Sequence, residues 1–176
     1  MRRSLYLAAA FVVASAAPAL AEKLNVPMAL ATATGKGADV GAVTLSDTKG
    51  GVSIKLDLHG LPPGEHGFHV HQNPSCEPAT AADGKVTPAG GAGAHLDPAK
   101  TAMHMGPVGQ GHLGDLPKVI VAADGSAKGT LAAPRIKTVA DLHGHALMLH
   151  VGGDNYSDQP APLGGGGARL ACGVAP

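Results

Sequence analysis

The sequence has no tryptophan and only four aromatic residues, Tyr6, Phe11, Phe68 and Tyr156. Its core must therefore be built from Val, Leu, Ile, Ala and Met. Charge of one sign is also missing, with 13 basic residues against 13 acidic ones. A nucleic-acid partner calls for a basic face, so none is implied. With 44% hydrophobic and 15% charged residues, the chain can bury a core and is no disordered polyelectrolyte. Long helices are excluded too, because 26 glycines and 14 prolines in 176 residues would break helix interiors. What stands out is histidine, with ten residues.

Arg2 and Arg3 precede an uncharged apolar run from Leu5 to Ala17, Pro18 breaks it, and Ala19-Leu20-Ala21 is a small-x-small cleavage site. The run falls short of the roughly 20 apolar residues of a spanning helix. Residues 1–21 read as an export signal cleaved after Ala21, by the general or the twin-arginine route, and residues 22–176 as one domain. No lipobox cysteine is present, so no stable membrane anchor is implied. Cleavage leaves 11 basic and 13 acidic residues, a net charge of −2 with histidine neutral. Cys76 and Cys172 remain, an even count that favours a disulfide in an exported chain. Two free thiols fit an oxidising compartment poorly, and a pair of zinc thiolates lacks the usual C-x-x-C spacing.

Short alternating or β-branched runs recur between turn signals, the pattern of an all-β sandwich or barrel. The strands expected are Leu24–Ala33, Gly41–Ser46, Val52–His59, Gly67–His71, Lys118–Ala122, Gly129–Leu131, Ala146–His150 and Arg169–Cys172. Asp47 to Gly51 reads as a hairpin loop and Asp124-Gly125 as another turn. Gln72 to Leu116 and Gly152 to Gly167 are long Gly/Pro-rich loops, and loops of that length in a compact domain are usually functional.

The histidines collect in or beside these loops. His69-Val70-His71 places two imidazoles on one face of a strand. His95, His104 and His112 follow in the first long loop, with Asp115 three residues after the last. Three imidazoles and one carboxylate form a tetrahedral set suited to zinc. His150 ends the run Ala146–Leu149, with Asp154 four residues on and Arg169 just past the Gly run. By itself His150 is either a ligand from a distant strand or a core histidine at a strand end.

These residues also lie in motifs. The chain resembles the bacterial copper/zinc superoxide dismutases in Gly67-Phe68-His69-Val70-His71, Gly93-Ala94-His95-Leu96-Asp97-Pro98, His104-Met105-Gly106-Pro107, Gly111-His112-Leu113-Gly114-Asp115-Leu116, His150-Val151-Gly152-Gly153-Asp154 and Gly167-Ala168-Arg169-Leu170-Ala171-Cys172-Gly173. The motifs keep the family's order and span most of the mature chain. The resemblance implies an eight-stranded Greek-key β-barrel or sandwich, immunoglobulin-like, with two long functional loops. It implies copper held by His69, His71, His95 and His150, and zinc by His95, His104, His112 and Asp115, with His95 bridging. The implied activity is dismutation of superoxide to dioxygen and hydrogen peroxide, with His95 supplying a proton and Arg169 attracting the anion. Asp154 would link His104 to His69 or His71, and Cys76–Cys172 would tether the metal-site loop to the strand carrying Arg169. The resemblance places the mature chain in the periplasm. Its bacterial members occur as monomers and dimers, and a homodimer is the expectation.

The contrasting function is a periplasmic copper- or zinc-binding carrier without turnover, which needs neither an anion-guiding arginine nor a bridging histidine. No lysine lies between Val151 and Ala168, so Lys85 and Lys100 are the candidate steering cations beside Arg169. Met103 and Met105 flank His104 and are expected to pack the loop as apolar fillers. His59, His66, His143 and His145 are left over; His66 is expected in a loop, and His143-Gly144-His145 as a pair without a physiological metal.

Overall fold

The computed structural model describes residues 22–176; the leader read in residues 1–21 lies outside the described residues. Eleven strands follow one another: β1 Lys23–Thr32, β2 Gly35–Thr48, β3 Gly51–Leu58, β4 Gly64–His66, β5 Phe68–His71, β6 Ala79–Thr80, β7 Val86–Thr87, β8 Val119–Val121, β9 Ala127–Ala133, β10 His145–His150 and β11 Arg169–Ala175. The only helical pieces among the described residues are three short 3₁₀ turns. No described helix is long and apolar enough to cross a membrane.

Seven strands form one antiparallel sheet in the order β5-β10-β11-β1-β2-β3-β9, and β4 pairs with β8. Only Gly67 separates β4 from β5, and a tight turn closed by Ser126 O and Ala122 N joins β8 to β9. Counting β4 and β5 as one bent strand gives eight strands curled around a single core, as the sequence led one to expect. The chain crosses from β3, near one edge of the sheet, to β5 at the other, which makes the connection Greek-key rather than a simple meander. All eight expected strands are present; β2 reaches further back, to Gly35, and β4, β6 and β7 are additional.

The alternation in β3 does what period two requires: Val52, Ile54, Leu56 and Leu58 are buried while Lys55 and Asp57 face water. These side chains join Val26, Met28, Val43, Leu45, Phe68, Val70, Leu147 and Leu149 in the barrel interior. Each such side chain contributes about 1.5–3 kcal/mol when fully buried. In β10, every residue from Ala146 to His150 is buried, so this strand is covered on both faces. Leu147 and Leu149 point into the barrel. Ala146 and Met148 pack outward in a second cluster with Ala89, Ala92 and Cys172.

That second cluster anchors the first long loop against the barrel wall. The loop carries its own small hairpin, β6–β7, and the disulfide Cys76–Cys172 (Cα–Cα 5.7 Å) ties its start to β11. The two cysteines are 96 positions apart, and closing a loop of that length removes much of the unfolded chain's freedom. Replacing both cysteines with serine is expected to lower the unfolding free energy of the metal-free chain by about 2–5 kcal/mol. A urea midpoint equal to that of the parent chain would show that the loop is held by the Ala89–Met148 cluster alone.

Candidate metal centre

β5 supplies the first two histidines. One of its edges pairs with β10, and two pieces of the long loop lie along the other. Val70 N donates to Gly114 O and Leu96 N to Val70 O, each at 2.8 Å. Leu116 N reaches Phe68 O at 3.2 Å, and Gln72 N reaches Ala94 O at 3.0 Å. This pairing sets His95 opposite His71 and Asp115 opposite His69. Gly114 permits the approach, because a Cβ at that position would stand 2.3 Å from Val70 O. The loop expected to be structureless is thus partly sheet.

His150 arrives from the end of β10, where a register shift between Leu149 and His150 sets its backbone opposite Arg169. The second loop then turns back, and its Asp154 carboxylate is buried between two rings. It accepts from His69 Nε2 at 2.9 Å on one oxygen and from His104 Nε2 at 2.8 Å on the other. His71 is not its partner; His71 Nδ1 donates to Gly93 O at 2.9 Å instead. Gly164 makes room for the Asp154 link, since a Cβ there would lie 2.0 Å from the carboxylate oxygen, and its φ of +70° suits glycine.

These hydrogen bonds decide which nitrogen of each ring is left with a lone pair. His71 and His150 both donate through Nδ1, the latter to Gly167 O at 3.1 Å. Their Nε2 atoms therefore meet lone pair to lone pair at 3.4 Å. His69 Nδ1, His95 Nε2, His104 Nδ1 and His112 Nδ1 are buried without a hydrogen-bond partner. Buried polar atoms are almost always satisfied, and unpaired nitrogens converging on one region call for cations. One group of donors within 4.8 Å of one another is His69, His71, His95 and His150; another is His69, His95, His104 and Asp115. His112 stands outside the tight second group, yet its Nδ1 is 3.4 Å from Asp115 Oδ1. All seven residues that the sequence singled out as ligands are thus brought together, with His112 the outlying one. His95 belongs to both groups; its Nδ1 lies 3.3 Å from Asp115 Oδ1 while its Nε2 is the unpartnered atom.

Arg169 is half-buried at the start of β11. Its guanidinium donates to Ala89 O at 2.6 Å and to Gly93 O at 2.5 Å. Gly93 O is also the acceptor for His71, so arginine and histidine share an anchor. Two of the five guanidinium N–H groups are used in this way, leaving others for an anion. Lys85 and Lys100 are exposed, and neither is ion-paired among the described residues.

The remaining histidines have structural partners. His66 is not in a loop; it ends β4, is buried, and its Nδ1 lies 2.7 Å from His150 O and its Nε2 2.8 Å from Pro62 O. A buried ring that bonds two carbonyls has no nitrogen to spare for copper. His143 contacts the Glu22 carboxylate at 2.6 Å and the Pro176 carbonyl, and His145 contacts Gln72 O at 2.8 Å. Met103 and Met105 are 46% and 44% exposed rather than packed as fillers. Their backbones do the work, Met103 O accepting from His112 N at 2.9 Å and Met105 N donating to Asp115 Oδ2 at 3.1 Å.

Burial pushes His71, His95 and His150 down to about 2, 4 and 3, and lowers His69 as well. Burial also opposes charge on His104, but the carboxylates of Asp115 and Asp154, 3.0 Å and 2.8 Å from its two nitrogens, outweigh that and raise it to about 9. Asp115 and Asp154 resist burial in the same way, held well below the usual carboxylate range chiefly by His104. A proton on His104 thus supplies the positive charge that these carboxylates require when no metal is bound.

A family described as copper/zinc superoxide dismutase (SODC) matches residues 40–175. The chain is 53% identical over 174 residues to the superoxide dismutase [Cu-Zn] of Escherichia coli K12, covering 99% of both. The solved Cu/Zn superoxide dismutase from Brucella abortus superposes with a TM-score of 0.85 at 52% identity, covering 88% of this chain and all of that one. The solution structure of the monomeric copper, zinc superoxide dismutase from Salmonella enterica gives 0.80 at 53% identity, with the same coverage.

The protonation pattern has a measurable consequence for the metal-free chain. Below the ordinary value of 6.5, the unfolded chain protonates His71, His95 and His150 while the folded chain refuses those protons, so stability falls as pH drops from 6.5 towards about 4. His104 acts in the opposite direction: its contribution is fully present below 6.5 and is lost as pH rises through about 9. The thermal midpoint of the metal-free protein is expected to peak between these limbs. A midpoint that climbs steadily from acid to pH 10 would contradict the charged His104 between its two carboxylates, and one that stays level between pH 4 and 6.5 would contradict the buried neutral histidines.

Proposed function

Because the chain belongs to the copper/zinc superoxide dismutase family, we propose that its two overlapping donor groups hold one copper and one zinc per chain. The activity is dismutation of superoxide to dioxygen and hydrogen peroxide, an oxidoreductase reaction with copper and zinc as cofactors. When bound, copper supplies a one-electron couple and zinc a fixed, redox-silent charge. In the proposed assignment, His69 Nδ1, His71 Nε2, His150 Nε2 and His95 Nε2 hold copper. His95 Nδ1, His104 Nδ1, His112 Nδ1 and Asp115 Oδ1 hold zinc.

His95 carries this assignment: of the two buried imidazoles common to both donor groups, His69 spends its Nε2 on Asp154, whereas His95 has one nitrogen beside Asp115 and the other unpaired. Its Nε2 is the atom at which a proton is taken up and passed to the departing peroxide. Asp154 orients His69 and His104 together, so that a rotation of either ring is felt by both groups. Arg169 draws the superoxide anion against the mature net charge of −2, its guanidinium aimed by Ala89 O and Gly93 O. A carrier without turnover would have no use for the guanidinium N–H groups that Ala89 O and Gly93 O leave free.

The leader in residues 1–21 and the Cys76–Cys172 bridge support export to the periplasm, with Glu22 as the mature N-terminus. All seven proposed ligands come from one chain, so neither metal group needs a second copy to be complete. Activity per chain is accordingly expected to be the same for a homodimer as for a monomer.

With one copper and one zinc loaded, the mature chain is expected to remove superoxide with a second-order constant near the diffusional ceiling of about 10⁸–10⁹ M⁻¹s⁻¹, followed by pulse radiolysis. His95→Ala should lower both copper retention and the rate, whereas His143→Ala should leave both close to wild type. A fully active His95→Ala protein would remove the bridge. A rate no better than free copper, with both metals retained by the wild-type chain, would favour the carrier.

A further inference from the structure

Arg135 is a half-buried loop cation that neither the motifs nor the ligand groups account for. It follows Pro134, just past the end of β9, and precedes Ile136, whose side chain is locked in the barrel core. The guanidinium is half-buried and does not pair with a carboxylate among the described residues. Instead its two terminal nitrogens donate to consecutive carbonyls of the metal loop, Nη1 to His112 O and Nη2 to Gly111 O, both at 2.8 Å. Two parallel donors on two adjacent peptide oxygens fix the plane and direction of that backbone, as a single-point cation does not.

The clamped residue is the one that most needs holding. His112 is the donor outside the tight group around Asp115, and its unpartnered Nδ1 is 3.4 Å from Asp115 Oδ1. Its peptide is gripped from both sides, with His112 N donating to Met103 O at 2.9 Å and its own oxygen taken by Arg135. The same oxygen accepts weakly from Asp115 N at 3.4 Å, so two of the proposed ligands hang from one carbonyl. Gly111 has no room for a side chain, because a Cβ would stand 2.2 Å from Met103 O. The loop is therefore pressed tightly against the strand of residues before His104.

We propose that Arg135 is a positioning residue for zinc: it ties the backbone of His112 to the barrel and so keeps the outlying ligand within reach of the ion. This rests on the assignment of His112 to zinc. Loss of the clamp would weaken zinc binding selectively, since the copper donors His69, His71 and His150 sit on β5 and β10 and none is hydrogen-bonded to Arg135.

The test uses the mature chain loaded with one copper and one zinc. Zinc and copper affinities are measured by competition with chelators for the wild type, Arg135→Ala, Arg135→Lys and His112→Ala, and cobalt(II) absorption is recorded with cobalt in place of zinc. Arg135→Ala is expected to lose about 10–100-fold in zinc affinity, the range typical of groups that orient metal ligands. Its copper affinity should stay within about threefold of wild type, and its cobalt bands should shift. Arg135→Lys should fall between, because an ammonium restores the charge without the two-pronged contact. Zinc affinity within twofold of wild type in Arg135→Ala would overturn the proposal. Equal losses of zinc and copper would overturn it too, by making the arginine a general support of the fold. If the alanine variant does not fold, Arg135→Lys decides by the same zinc-to-copper split. His112→Ala separates the two levels: if it keeps zinc, the ligand assignment has failed; if it loses zinc while both arginine variants keep it, the clamp alone has failed.

Discussion

The metal centre depends on where the imidazole protons are held. Gly93 O, Gly167 O and the two oxygens of Asp154 each take the N–H of one ring, from His71, His150, His69 and His104 respectively. With those protons fixed behind the rings, the opposite nitrogens of His69, His71 and His150 are left bare and buried, while His104 keeps a second proton between its two carboxylates. In the folded chain this is an electrostatic demand, most plainly between His71 Nε2 and His150 Nε2, which face each other at 3.4 Å with nothing to share. The backbone makes that demand affordable only through contacts distributed across the sheet. Gly93 and Gly167 belong to the two long loops, whereas the rings they orient stand on β5 and β10.

Burial and the metals therefore pull on the same groups. The low values of His71, His95 and His150 keep these rings neutral at ordinary pH, which is the form that binds a metal. His104 is the exception, because two carboxylates surround it, and a metal ion bound at its Nδ1 would have to displace the proton that it holds. The acidic pair Asp115 and Asp154 thus has two uses. It offsets the positive charge of a protonated His104, and it places negative charge on the loop side of His95, where a cation would be drawn.

Much of this was legible in the residues. Alternation in Val52–Leu58 and the H-x-H spacing of His69 and His71 are local patterns, and local patterns survive folding unchanged. The motifs around His95, His104, His112, Asp115 and His150 supplied the ligands, and the structure brings all of them together. Long-range pairing is what the sequence hides. Nothing in Gly64-Glu65-His66 has strand character, yet it becomes β4 because β8 is there to receive it. His66 was misplaced for the same reason, since its two carbonyl partners lie at Pro62 and His150. Arg135 stood in an unremarkable Pro-Arg-Ile stretch, and its acceptors are main-chain oxygens, which carry no side-chain signature. Met103 and Met105 misled by side-chain type, because the loop uses their peptide groups and leaves their thioethers at the surface.

The strand order also bears on how the molecule comes into being. β1, the first strand described, lies between β2 and β11, the last strand, and β5 is edged by β10. His150, Arg169 and Cys172 all belong to the last two strands. A chain delivered from its N-terminus, by a ribosome or through a pore, therefore emerges with β1 half-paired and β5 lacking its neighbour. It lacks His150, Arg169 and Cys172, the partner of Cys76, until the last two strands have arrived. Completion of the four-histidine donor group and disulfide closure are thereby confined to the last stretch of the chain, whereas His95, His104, His112 and Asp115 have all emerged before it.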